Sequence, residues 1–159
     1  PMAPMPEGPP PAECRETLTK AKWAVIAMAV TGIGRFLCGF MQGLVRMDGF
    51  SLLFVLISVV MGTFLLKDDE HLKPFYNCLA TSVCSMCAEQ GQSGFRCLQP
   101  FMITTLINAI TDLIFRFQYI QVLPYGLFLA GSLAAQFAAA YFAYVLCKQV
   151  SPSPGDQGL

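Results

Sequence analysis

The chain has 159 residues, of which 55% are hydrophobic and 13% are charged, and its mean hydropathy is +0.55. This composition excludes an ordinary soluble domain and is typical of a small protein that crosses a membrane several times. Ten basic and ten acidic residues cancel, so no basic field is available to attract nucleic acid, and we expect no nucleic-acid partner.

Four long apolar runs predict an all-α fold, a four-transmembrane-helix bundle built from two helical hairpins. We expect the membrane domain to occupy residues 21–148. Residues 1–20 are predicted to form a flexible proline-rich arm, and residues 149–159 a flexible tail. In both segments proline, glycine and charge leave too little apolar area to offset the entropy lost on ordering.

The first span is predicted at about residues 23–44. Gly32, Gly39 and Gly43 fall on one side of this helix, and small residues four apart allow another helix backbone to approach closely. We therefore interpret this side as a helix-packing face. The short link Val45–Gly49 sends the next helix back antiparallel.

The second span, at about residues 50–66, is the least polar of the four and is short for a bilayer. A proline then opens a segment at about residues 74–90, in which apolar residues recur at helical spacing over some four turns. This segment is too short and too polar to span. We expect an amphipathic helix that lies at the membrane surface.

The third span, at about residues 100–119, carries polar and charged residues within an apolar run. Asn108, Asp112 and Arg116 are four residues apart and therefore share one face of a helix. A charged side chain at mid-membrane depth costs roughly 2.5 to 3.5 kcal/mol on insertion scales unless it faces protein. This face is predicted to point into the bundle and to meet partners there.

Arg35 on the first span is the predicted partner of Asp112. Both spans start from the same side, and each residue lies twelve positions after its span begins, at Trp23 and at Pro100, or roughly 18 Å in. The pair can be interpreted as a structural pin that sets the register of the helices. The alternative interpretation is a proton or ion relay, or a ligand site.

The fourth span, at about residues 123–147, carries a ridge of small residues. Gly131, Ala135, Ala139 and Ala143 recur every four positions, which predicts close packing against another helix.

Cys84 and Cys87 form a C-x-x-C pair in the segment between the second and third spans. They could be unremarkable packing thiols, a redox or disulfide pair, or zinc ligands, although the second short cysteine pair of a typical zinc site is missing. We predict no metal site. Because His71 is the only histidine, a haem held by two histidines is excluded and no haem is expected.

Basic residues are concentrated on the side of the predicted topology that holds both termini. The positive-inside rule therefore places the termini in the cytoplasm, matrix or stroma. We expect an integral, multi-pass protein of an organellar membrane, thylakoid or mitochondrial inner.

The chain lacks a Ser/His/Asp arrangement, a phosphate loop and a helical zinc-protease motif, which argues against an enzyme. The first hypothesis is therefore a structural or accessory subunit of a larger photosynthetic (photosystem or light-harvesting) or respiratory complex, with other membrane-protein subunits as partners. Bound lipid, chlorophyll or carotenoid would be the cofactors of such a subunit, with pigment ligands among Gln99, Asn108, Gln118 and Gln136. The alternatives are a small oligomeric transporter or channel that uses Arg35 and Asp112, and a thiol oxidoreductase that uses Cys84 and Cys87.

Overall fold

The computed structural model describes residues 14–66, 73–82 and 98–150, and every regular element in these ranges is helical. The α-helices within them are α1 (Arg15–Met41), α2 (Val45–Leu65), α3 (Lys73–Ser82), α4 (Leu98–Arg116) and α5 (Tyr125–Val150). A 3-10 helix at Phe117–Gln121 continues α4. The predicted all-α class is confirmed for the described part of the chain.

Four of these helices are long and apolar enough to cross a membrane: α1, α2, α5, and α4 together with its 3-10 extension. They have 27, 21, 26 and 24 residues respectively, so even the shortest is about as long as the roughly 30 Å hydrocarbon core requires. Large apolar side chains such as Ile33, Phe40, Ile114 and Phe115 are exposed on their outer faces, as lipid contact requires. These features are compatible with an integral multi-pass membrane protein.

The helix α1 begins at Arg15, inside the segment predicted to be a flexible arm. Its first turns are stabilised by the Glu16–Lys20 ion pair at 2.7 Å and by a hydrogen bond from Thr19 Oγ1 to the Arg15 carbonyl at 2.9 Å. Both interactions join residues four apart, which only a helix brings together. Likewise α5 runs on to Val150, beyond the predicted start of the tail. The rest of the predicted arm and tail, residues 1–13 and 151–159, lies outside the described residues.

The turn between α1 and α2 consists of Gln42 to Leu44, so the predicted link Val45–Gly49 instead forms the start of α2. Gly43 has a positive φ of 72°, the Leu44 N–H donates to the Gly39 carbonyl at 2.8 Å and the Gly43 N–H donates to the Phe40 carbonyl at 3.3 Å. These two bonds and the left-handed glycine form a Schellman motif. Gly43 was predicted as a helix-packing residue, but it ends α1 and its Cβ position has no atom within 4 Å.

The second return, between α4 and α5, brings two backbones into close contact. A Cβ on Gly126 would collide with the backbone carbonyl of Ile120 in the 3-10 helix. Only glycine fits at this point, and it lets α5 turn back directly after the Leu123–Pro124 peptide, which is cis.

The four long helices pack in adjacent pairs. The helix α1 packs against α2 and α5, and α4 packs against the same two helices, while α1 and α4 make no backbone contact within 8 Å in the described ranges. At the end where α1 begins, α1 and α5 meet through small and apolar residues in one buried cluster, which includes Ala21, Met28, Phe101, Ala139 and Leu146. The predicted small-residue ridge lies in this contact.

The helix α3 corresponds to the first half of the predicted surface helix. It contacts the end of α2, where the rings of Phe64 and Tyr76 meet edge to face at 5.3 Å between centroids. Residues 83–90 of the predicted helix lie outside the described residues, and the location of α3 at a membrane surface stays a prediction.

Candidate functional site

A cluster of four charged side chains lies in the interior near the return-turn end of the long helices. At its centre is Arg35, which is fully buried. Its Nε donates to Asp48 Oδ2 at 2.7 Å and its Nη2 donates to Asp48 Oδ1, a bidentate pair. On the other side, Nη1 donates to Asp112 Oδ2 at 2.6 Å and Nη2 donates to Asp112 Oδ1 at 3.1 Å. One guanidinium therefore binds two carboxylates, a geometry that its planar set of donors permits.

Arg116 closes the cluster from the opposite side. Its Nη1 donates to Asp112 Oδ1 at 2.9 Å, and its Nε forms an ion pair with Asp48 Oδ1 at 3.1 Å. The Arg116 side chain is 12% exposed, whereas the other three charged side chains are 2% exposed or less. The two arginines and two aspartates thus alternate in a closed arrangement without net charge, which we call the charge ring.

Neutral side chains add hydrogen bonds to the charge ring, whereas the buried Arg116 Nε makes its ion pair with Asp48 without a hydrogen bond. Ser51 Oγ donates to Asp112 Oδ1 at 2.6 Å and accepts from Arg35 Nη2 at 3.1 Å. Arg35 Nε also lies 3.3 Å from the Tyr125 hydroxyl, and the guanidinium carbon lies 5.9 Å from the centroid of the tyrosine ring. This is cation–π distance, so Tyr125 stabilises the same cation by two kinds of contact.

Two buried amides lie one turn deeper. Asn108 Nδ2 donates to Gln136 Oε1 at 2.9 Å, and Gln136 Nε2 donates to Ser132 Oγ at 3.0 Å and lies 3.5 Å from Asp112 Oδ2. These contacts join the amides to the charge ring. Because Asn108 and Gln136 are 3% and 0% exposed, a pigment could reach neither without separating the helices.

All four long helices contribute to this site because they alternate in direction. The last turns of α1 and α4 and the first turns of α2 and α5 come to the same level. Arg35 and Asp112 belong to α1 and α4, which are not in direct backbone contact, so the length of the arginine side chain bridges the diagonal. Each hairpin also contains its own opposite charges: Arg35 and Asp48 in the first, and Asp112 and Arg116 in the second.

The structure brings Arg35 and Asp112 together, as the sequence predicts. Because α1 extends from Arg15 to Met41, Arg35 lies only six residues, or about 9 Å, from the end at the return turn. The charge ring therefore lies nearer the return-turn end of α1 and of α4 than the first turn of either helix.

Sequence reasoning missed Asp48, Ser51 and Tyr125. Asp48 falls in the predicted link Val45–Gly49, although one feature of the sequence points to it. Two arginines within apolar spans need two acids for neutrality, and only Asp112 is available in the predicted spans. Asp48 is the acidic residue closest in sequence to Arg35.

The predicted packing glycines face different neighbours. A Cβ on Gly32 would lie 3.1 Å from Val55 of α2, whereas one on Gly39 would lie 3.6 Å from Tyr125 of α5. A Cβ on Gly131 would lie 3.0 Å from Thr31 of α1. Ala135, Ala139 and Ala143 are buried in the same α1–α5 contact.

The remaining predicted site residues are not brought together. Gln99 is half-buried in the first turn of α4, and Gln118 is exposed in the 3-10 helix. Cys84 and Cys87 lie outside the described residues. Within the described ranges, no group of three or more His, Cys, Asp or Glu side chains could hold a metal ion.

No protein-family model, curated protein or solved structure matches this chain. Every carboxylate oxygen of the charge ring has a hydrogen-bond donor from the protein. The ion pairs Arg35–Asp112 and Arg116–Asp48 join the two hairpins to each other.

Proposed function

We propose that this chain is a four-helix-bundle membrane protein that serves as a structural or accessory subunit of a larger membrane complex, photosynthetic or respiratory. One observation carries the proposal: the interior charges of Arg35, Asp48, Asp112 and Arg116 are matched two against two and enclosed. A buried ion pair is weak evidence for stability, but it is well suited to specifying a single register. A scaffold subunit needs such a fixed shape.

The same observation counts against a transporter or channel. A transported ion or proton would have to displace a guanidinium from Asp112, whose two oxygens together accept from Arg35, Ser51 and Arg116. Removal of one partner from such a pair costs about 3 to 5 kcal/mol. The bundle is therefore better suited to rigidity than to a transport cycle.

The distribution of basic residues supports the proposed orientation. Arg15, Lys20, Lys22 and Lys148 lie at the end of the bundle where α1 begins and α5 ends. Following the positive-inside rule, we place this end in the stroma, matrix or cytoplasm. The outward surface, which is rich in exposed Phe, Ile and Leu, then offers contact area to other subunits, lipids or pigments.

Extraction of the native protein in a mild detergent, followed by separation by size, tests the proposal. We expect the 17.4 kDa chain to migrate in a much larger complex together with other membrane proteins. Pigment absorbance or respiratory activity in the same fraction identifies the type of membrane. A free chain without partners would overturn the proposal.

A second measurement separates the scaffold from the transporter. Purified protein reconstituted in vesicles should show no ion or proton flux above that of empty vesicles. Flux that Asp112→Asn abolishes while Glu16→Gln preserves it would support the transporter instead.

A further inference from the structure

Two hydroxyls in the interior, Ser58 on α2 and Thr105 on α4, have no hydrogen-bonding partner among the described residues, although both side chains are fully buried. A hydroxyl in a membrane-spanning helix usually donates to the carbonyl four residues earlier. Thr31, Thr63 and Thr111 do so at 2.7 to 2.8 Å. Ser58 and Thr105 are exceptions, and a hydroxyl left unpaired in the interior is costly.

The register of α2 against α4 places these two hydroxyls opposite each other. On one side, Ser51 bonds Asp112 at 2.6 Å. On the other, a Cβ on Gly62 would lie 3.2 Å from Phe101. Ser58 lies seven residues after Ser51, and Thr105 lies seven before Asp112. Because seven residues are almost two full helical turns, both hydroxyls remain on the faces that meet.

The surroundings at this level are uncharged and include a small residue. The Asn108–Gln136 bond fixes the register of α4 against α5, and three residues away along each helix Thr105 lies beside Ala139. In the same way, the close approach of Gly62 to Val25 fixes α2 against α1 and places Ser58 near Met28. Met28 and Ala139 are fully buried. The level is therefore bounded by the Asn108–Gln136 amides on one side and by Phe101 on the other.

We propose that Ser58 and Thr105 together bind one buried water molecule, which links α2 to α4 two turns below the charge ring. The ligand must be small and uncharged, because the residues placed at this level carry no charge and Met28 and Ala139 beside the two hydroxyls are fully buried. A buried water needs two to four polar partners, and each hydroxyl can both donate to it and accept from it. This inference is independent of the proposed function.

An experimental density map fine enough to show ordered solvent tests the site directly. We expect one density peak within hydrogen-bonding distance of both Ser58 Oγ and Thr105 Oγ1. The peak should remain in Thr105→Ser, which keeps the hydroxyl, and disappear in Thr105→Val. A direct hydroxyl-to-hydroxyl bond, or the absence of such a peak, would overturn the proposal.

Thermal unfolding in detergent tests the same site, because the melting temperature of Thr105→Val should change in opposite directions with and without the water. Valine has nearly the shape of threonine, so replacement of an unpaired hydroxyl raises the melting temperature, whereas replacement of a water-bonded one lowers it. We expect Thr105→Val to lower the melting temperature by about 2 to 4 °C. Thr111→Val on the same helix serves as the control, since its hydroxyl bonds only its own helix, and should change the melting temperature less. A rise for Thr105→Val would also overturn the proposal.

Discussion

The two ends of the long helices are held together by different interactions. Near the return turns, the four helices meet through the charge ring, whose bonds are directional. At the other end they meet through an apolar cluster in which alanines of α5 pack against α1. Apolar packing sets how closely two helices approach but permits several registers between them. An arginine that donates to a carboxylate on each of two other helices fixes one register among the three helices. The comparison indicates that the polar end specifies the arrangement and the apolar end sets the distance.

The largest expected effect comes from the polar end. Arg35→Met should lower the free energy of unfolding by about 3 to 5 kcal/mol, because it leaves two buried aspartates facing one arginine. The free energy of unfolding is measured by titrating the purified protein with a denaturing detergent while its circular dichroism is monitored.

Lys20→Met is the matched control for Arg35→Met. It removes a cation from the Glu16–Lys20 pair, whose side chains are 80% and 54% exposed, and should leave stability unchanged within error. If both variants unfold like the original protein, Arg35 does not neutralise two buried aspartates as described. A variant in which all four ring charges are replaced by neutral residues of similar size should recover much of the loss, since no buried charge is then unpaired.

An intermediate effect is expected at the apolar end. Ala139 is fully buried between α5 and its neighbours, so Ala139→Leu forces larger side chains into a filled contact and should cost about 1 to 3 kcal/mol. The control is Ala134→Leu on the exposed side of α5, which should be close to neutral. Equal effects for the two variants would contradict close packing at this end.

The smallest effect is expected at the turn that delivers Asp48 to the charge ring. Gly43 has a left-handed backbone, so Gly43→Ala should cost about 1 kcal/mol through backbone strain alone. Gly49→Ala, in the helical start of α2 with open space around its Cβ position, should be neutral or stabilising. A stabilised Gly43→Ala variant would show that the turn does not need glycine.

Much of this architecture could be predicted from local patterns. The apolar runs located all four long helices to within a few residues at most ends, because helix formation in such runs depends on neighbours along the chain. The pairing of Arg35 with Asp112 could also be predicted, since a charge within an apolar helix requires an opposite one nearby. The i, i+4 spacing of Glu16 and Lys20 also favours a helix there, whereas the prolines before it favour an extended arm.

The sequence by itself determined that the chain forms long apolar helices and that their interior charges must find one another. Only the tertiary structure decided that Asp48, Ser51 and Tyr125 join them, and that Arg35 reaches across the diagonal to α4. The reason is physical: helices follow from contacts a few residues apart, whereas the level and rotation at which two helices meet depend on where each turn ends. Here the left-handed backbone at Gly43 starts α2 early enough to bring Asp48 inside.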